Sequence, residues 1–174
     1  MKNNLEPQAS LMLLFGIFDP GLAIMSYFKF ESDFVGSLQC IPMQVRMKLD
    51  DCGVKLKLVH WNQFSHSEKQ TLIELPCETD LERKQYRDYL QDLVIQKTGQ
   101  PAKELAIAPH PPWLDKTTIP SDVQTKATEC QVKISLEQWS QLSPAQRFAL
   151  IKLSRPSHEN KNFLPALQEF NLIK

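Results

Sequence analysis

The densest run of reactive side chains in the chain is "RPSHENKNF", Arg155 to Phe163. It combines a guanidinium, an imidazole, a carboxylate and two amides. Four roles are open to such a run: a metal site, a catalytic centre, a contact surface or the start of a helix. Metal binding fits poorly, because His158-Glu159-Asn160 supplies too few ligands and the further donors, Cys77, His60 and Cys40, stand at no ligand spacing. Catalysis fits poorly too. A histidine beside Glu and Asn needs a nucleophile within hydrogen-bond reach, and the local sequence has none. What remains is a polar loop, held by caps and local hydrogen bonds or used to bind a partner. Arg155 can form a two-pronged pair with a carboxylate, and His158 can change charge near neutral pH. Arg155, His158, Glu159 and Asn160 are therefore the partner-binding candidates, with no catalytic or metal-ligating residue assigned.

Trp113, in "HPPWLD", is a further candidate. A tryptophan on a stiff proline-rich loop can anchor a partner at little entropic cost, or fold back over the core. His66 and His110 read as surface residues. Of the four cysteines, Cys40, Cys52, Cys77 and Cys130, no two form a CxxC pair or stand at zinc-finger spacing. Free thiols in a reducing cytoplasm are the simplest reading. Cys40 is the possible reactive thiol: it precedes a helix that Pro42 starts, where the helix dipole favours a thiolate. Cys52, at the helix end, feels the opposite field. Either can equally be a small apolar core residue.

The elements that position these residues are helical. "LKLVHWNQFSHSEKQTLIEL" from Leu56 matches "ISLEQWSQLSPAQRFALIKL" from Ile134, with Trp61 on Trp139, Ser65 on Ser143, and Leu72, Ile73 and Leu75 on Leu150, Ile151 and Leu153. Ser65 with Glu68 and Ser143 with Gln146 are capping boxes, and Pro144 suits a first helical position. Thr79 with Glu82 starts a further helix with an apolar stripe of Tyr86, Tyr89, Leu90, Leu93 and Val94, stopped by Gly99. Pro42 and Gly53 bracket another helix, "PSDVQTKATEC" suggests a short one, and "IAPHPPWLDKTTIPSD" is a proline-rich loop. Phe163, Leu167 and Phe170 share one face of a last helix that begins at Asn162, with Pro165 in its first turn. The expected fold is all-α: a compact helical domain with two related helix-turn-helix units, about 56–98 and 134–172, joined by the proline-rich loop. Trp61 and Trp139 are expected to be buried together.

Composition narrows the function. Twenty basic and twenty acidic residues give zero formal net charge, which argues against nucleic-acid binding. There is no basic run for an anionic membrane and no glycine-rich phosphate loop. "LMLLFGIF", Leu11 to Phe18, is too short to span a bilayer. Residues 1–26 read as a poorly ordered N-terminal extension with Met25 as an alternative start. A signal peptide is the competing reading, although Lys2 is the only basic residue ahead of the apolar run and no A-x-A site follows. Residues 27–174 then form a single helical domain.

"CIPM", "ELPC", "YRDYL", "PPWLD", "QRFALIKL" and "RPSHENKNFLPAL" together resemble, in order, the nitrate-reductase-associated proteins of cyanobacteria, from about Tyr27 to Leu172. The resemblance implies a soluble, non-enzymatic accessory or maturation factor. Its partner would be assimilatory nitrate reductase, a molybdenum and iron–sulfur enzyme that it helps to bring to its active form. The family offers no catalytic residues to carry over, and no cofactor is assigned. A cofactor-handling protein delivering molybdenum cofactor, sulfur or an Fe–S cluster through Cys40, Cys52 and Cys77 is the alternative, and a nitrogen-sensing adaptor a third.

Overall fold

Side chains legible in the sequence set the helix boundaries. Ser65 Oγ accepts from the Glu68 N–H at 3.2 Å while Glu68 Oε2 accepts from the Ser65 N–H at 2.7 Å. Thr79 with Glu82 and Ser143 with Gln146 repeat this reciprocal pair, so two orphan donors are satisfied at each helix start. Ser135 with Gln138 makes a fourth box, which the sequence analysis did not identify. At the other ends, Gly53 and Gly99 stop helices with φ of 71° and 77°, the left-handed conformation that glycine adopts without a Cβ clash.

A computed structural model describes residues 27–173 of the chain. The extension expected at 1–26 lies outside the described residues, as do Lys174 and the side chains of Phe34, Val35, His158 and Glu159. A 3-10 turn, Lys29–Glu31, leads into α1 (Ser32–Val35), α2 (Met43–Cys52), β1 (Val54–Lys55), α3 (Leu58–Trp61), α4 (His66–Glu74) and α5 (Asp80–Thr98). After β2 (Lys103–Glu104) come α6 (Ser121–Glu129), α7 (Leu136–Gln141), α8 (Pro144–Ser154), a 3-10 helix (His158–Asn162) and α9 (Phe163–Glu169). The fold is helical, as expected. The one sheet among the described residues is a minimal antiparallel ladder pairing Val54 with Glu104 and Lys55 with Lys103, too short to leave a periodic signal in the sequence.

The internal repeat extends upstream of Leu56 and Ile134. Continued upstream in constant register, the match pairs Ile41 with Ile119, Pro42 with Pro120, Val45 with Val123, Lys48 with Lys126, Cys52 with Cys130 and Val54 with Val132. It therefore superposes α2 on α6, α3 on α7 and α4 on α8. Backbone geometry follows it: Pro42 and Pro120 are the extended residues before α2 and α6, and Gly53 and Gln131 both have positive φ, 71° and 58°. The halves diverge after α4 and α8. The first continues into the long α5. The second turns through an exposed segment and a 3-10 helix.

The tryptophans are not buried together. Trp61 and Trp139 are each fully buried, but Trp61 belongs to a cluster built from α2 to α5, and Trp139 to a second cluster built from α6 to α9. Each indole is fixed by its own half: Trp61 Nε1 donates to Leu38 O at 2.7 Å and Trp139 Nε1 to Asp115 O at 3.1 Å. A buried indole N–H needs an acceptor, and the acceptor here is a carbonyl of the loop preceding the same half. The two clusters meet where α2 passes α8. Met43 is buried in the second cluster, and Lys152 Nζ lies 2.6 Å from Asp50 Oδ2. The first and last described segments also meet, since Glu169 accepts from the N–H groups of Lys29 and Phe30.

Candidate functional site

Pro156 cannot continue α8, and Arg155 leaves it in an extended conformation, φ −74° and ψ 146°. The chain then runs exposed through Arg155, Pro156 and Ser157 before the 3-10 helix. Phe163 starts α9, one residue beyond the expected Asn162, and Pro165 stands in its first turn, where a missing donor costs little. Beyond the loop, Phe163, Leu167 and Phe170 are buried in the second cluster and anchor its C-terminal end.

The duplication shows what is unusual about this loop. Ser157 and Asn160 occupy the positions of Thr79 and Glu82, the capping box that starts α5. In the second half that box is absent: Ser157 makes no capping bond, and Asn160 Nδ2 instead reaches the Arg155 carbonyl at 3.5 Å, the outer limit of a hydrogen bond. The Arg155 guanidinium is exposed and has no ion-pair partner among the described residues. His158 and Glu159 lie in the same 3-10 helix, and their side chains are outside the described set. The structure thus brings Arg155 and Asn160 into one exposed segment, whose polar groups are less committed to helix capping than their counterparts in the first half.

Trp113 lies elsewhere. Its ring is 7% exposed and packs edge-on against Phe148, with centroids 5.0 Å apart. Its carbonyl accepts from Arg147 Nε at 2.8 Å. Arg147 is itself buried, and its Nη1 donates to Leu142 O at 2.7 Å and Trp139 O at 3.4 Å. A buried guanidinium needs acceptors on its donors, and these backbone carbonyls turn Trp113 inward. Leu114 turns outward from this loop, 57% exposed, as does Ile107, 51% exposed. The one sign of Arg147 in the sequence is a basic residue at the second turn of each repeated helix, Lys69 and Arg147.

Of these thiols, Cys52 and Cys77 come near each other in the first cluster, while Cys40 stands apart from them. Cys40 is half-buried ahead of α2. Cys52 is buried at the end of α2 with Sγ against Leu49 O, and burial pushes its pKa up to about 12. Cys77, between α4 and α5, sits against Lys48 O, and burial pushes it up to about 11. Lys48 spans the gap. Its ammonium donates to Ile73 O and Leu75 O, both at 2.6 Å, at the end of α4 and over the Tyr86 ring. Burial pulls its pKa down to about 8. This half-buried group ties α2 to the end of α4. Among the described residues no cluster of three or more His, Cys, Asp or Glu side chains has an arrangement able to hold a metal. No described helix is long and apolar enough to cross a membrane.

Fold and site define a helical protein with a repeated three-helix unit and one polar loop that lacks the capping box of its counterpart. The chain belongs to the family of conserved nitrate reductase-associated proteins, whose sequence model matches residues 27–170. No curated protein and no solved structure matches it.

Proposed function

We propose that this chain is a non-catalytic accessory factor of assimilatory nitrate reductase, acting in the cytoplasm by binding the reductase or its apoprotein while the enzyme is brought to its active form. Membership of the nitrate reductase-associated family carries the reading. The loop at Arg155 supports it, because an exposed guanidinium next to an uncapped turn is well suited to a carboxylate on another polypeptide. Arg155, His158, Glu159 and Asn160 form the contact surface in this reading. Trp113 lies apart from this surface, turned inward on the proline-rich loop that presents Leu114.

The test is co-purification. Tagged nitrate reductase is expected to retain this protein, and Arg155→Glu is expected to weaken retention while leaving the helical circular dichroism and melting temperature unchanged. A strain lacking the protein is expected to accumulate less active reductase. Normal reductase assembly and activity in that strain would defeat the proposal.

A further inference from the structure

Most serine and threonine hydroxyls in this protein are engaged. Some cap a helix, as Thr79 does for α5. Others bond back to a carbonyl of their own helix, as Thr71, Thr98 and Thr128 do. Ser32, Ser121, Thr125 and Ser157 are left without a hydrogen bond among the described residues. Ser32 lies in α1, and Ser121 and Thr125 lie in α6. Ser157 alone of the four stands on extended backbone, with φ −163° and ψ 169°, and it is exposed.

That difference matters for one reaction. A protein kinase must align an acceptor hydroxyl with the phosphoryl group it transfers. An extended segment can be laid into the enzyme's cleft as it stands, whereas a helical one must first unwind. Pro156 stiffens the approach to Ser157 and lowers the entropic cost of docking. Charge distinguishes the four positions as well. Two residues before Ser157 stands the exposed guanidinium of Arg155, while Phe30, Ile119 and Val123 stand at that place before Ser32, Ser121 and Thr125. Charge patterns of this kind are what kinases use to choose substrates. The same arginine suits the product. The Cα atoms of Arg155 and Ser157 are at most about 7.6 Å apart across two peptide units, within the span of a long side chain. A phosphoserine carries a charge of about −1.5 to −2, and guanidinium pairs with phosphate through two parallel bonds.

We propose that Ser157 is a phosphorylation site for a serine/threonine kinase selective for basic residues, and that the phosphate, once attached, holds the Arg155 guanidinium. In the transfer the serine oxygen bonds to the γ-phosphorus of a nucleoside triphosphate. The bond from that phosphorus to the nucleoside diphosphate breaks, and the hydroxyl proton passes to the kinase's base. The consequence for binding rests on the reading of Arg155 as a partner contact: with the guanidinium occupied and the loop made anionic, a carboxylate on the partner is repelled.

The test begins with the full chain, ATP and a purified kinase that selects arginine two or three residues before its serine. One phosphate is expected, mapped to Ser157 by peptide mass spectrometry and lost in Ser157→Ala. No phosphate, or phosphate placed first on another hydroxyl, would overturn the site. Phosphoserine installed in place of Ser157 during translation then reads the pairing without any kinase. Phosphorus NMR is expected to give the phosphate a second pKa about half a unit below its ordinary value of about 6, restored in Arg155→Gln. The same titration with and without Arg155 would overturn the pairing. Tagged nitrate reductase is expected to retain the phosphoserine form about tenfold less than the unmodified chain, the loss of one charge-assisted contact. Equal retention of the two forms would overturn the consequence for binding. Retention of neither would instead defeat the reading of the loop, while the mapped site and its titration stand on their own.

Discussion

Lys69 and Arg147 occupy one position of the repeated unit and make the same kind of bond. Lys69 Nζ donates to Leu38 O at 3.1 Å, and Arg147 Nε donates to Trp113 O at 2.8 Å. In each half the carbonyl belongs to the loop that also carries, at the same residue or close by, the acceptor of the buried indole. A cation and a tryptophan together therefore fix the loop ahead of each helical hairpin. Lys69 also lies over the Trp61 ring, 5.6 Å from its centroid.

The two clamps differ in what their loss exposes. Leu38 O keeps the Trp61 N–H when Lys69 is removed, whereas Arg147 serves Trp113, Trp139 and Leu142 at once. Arg147→Met is expected to cost about 2–4 kcal/mol and Lys69→Met about 1–2 kcal/mol, because buried carbonyls left without donors are the larger penalty. Urea unfolding of the two variants checks the order. A larger loss for Lys69→Met would remove the clamp from the account of stability.

Stability in mild alkali is expected to rise and then fall. Lys48 releases its proton near pH 8 when folded and near 10.5 when unfolded. The unfolded chain therefore binds more protons between those values, and this contribution to stability grows as pH rises through that window. Cys52 and Cys77 act in the opposite sense. Unfolded, they ionise from about 9.0; folded, not until about 12 and about 11. Their contributions are lost as pH climbs above 9. Each proton contributes a slope of at most about 1.4 kcal/mol per pH unit. Urea midpoints at pH 8, 9 and 10 check this: Lys48→Met is expected to lose the rise between 8 and 9, and Cys52→Ala to fall less steeply above 9.

Thiol labelling separates the cysteines by burial. At neutral pH an alkylating reagent is expected to modify half-buried Cys40 before Cys52, which is 1% exposed and whose thiolate is suppressed by burial. Peptide mass spectrometry after timed quenching reads the order. Cys52 labelled first would show that α2 opens at its C-terminal end more readily than its packing implies.

The two helix-stopping glycines are expected to respond differently to alanine. Both have positive φ, which costs a residue with a Cβ about 1–2 kcal/mol. At Gly99 the new Cβ meets nothing within 4 Å, whereas at Gly53 it would stand 2.7 Å from Leu105 O and 2.9 Å from Ile107. Gly53→Ala is therefore expected to be the more destabilising, by at least a further 1 kcal/mol as the loop is displaced. Thermal melts of both variants compare them directly, and equal losses would mean that the loop yields freely.

Much of the fold was legible because it is written in short-range chemistry. Ser65, Thr79 and Ser143 announce helices through their own third neighbours, and Gly53 and Gly99 end them without reference to anything distant. The repeat was visible around Trp61 and Trp139 but faded upstream. There the shared residues Val45, Cys52 and Val54 are core positions separated by surface residues that have diverged. Equal sequence around the two indoles implied equal environments, and that held. It could not say whether the environments were one or two, which depends on the loop carbonyls at Leu38 and Asp115. The direction of the Trp113 ring was hidden for the same reason: it is decided by Arg147, far along the chain. At the candidate loop the residues could be chosen by type, but the missing capping box at Ser157 became visible only against its counterpart at Thr79.

The paired cores also bear on how the chain tolerates being cut. The connecting stretch at Ala108, Pro109 and His110 is exposed, and a protease nicking it there would sever neither clamp. Each fragment would keep its own indole, cation and loop carbonyl. The insertion of Met43 and the Asp50–Lys152 ion pair would remain as the adhesive between them, so the nicked halves should co-elute as a complementing pair.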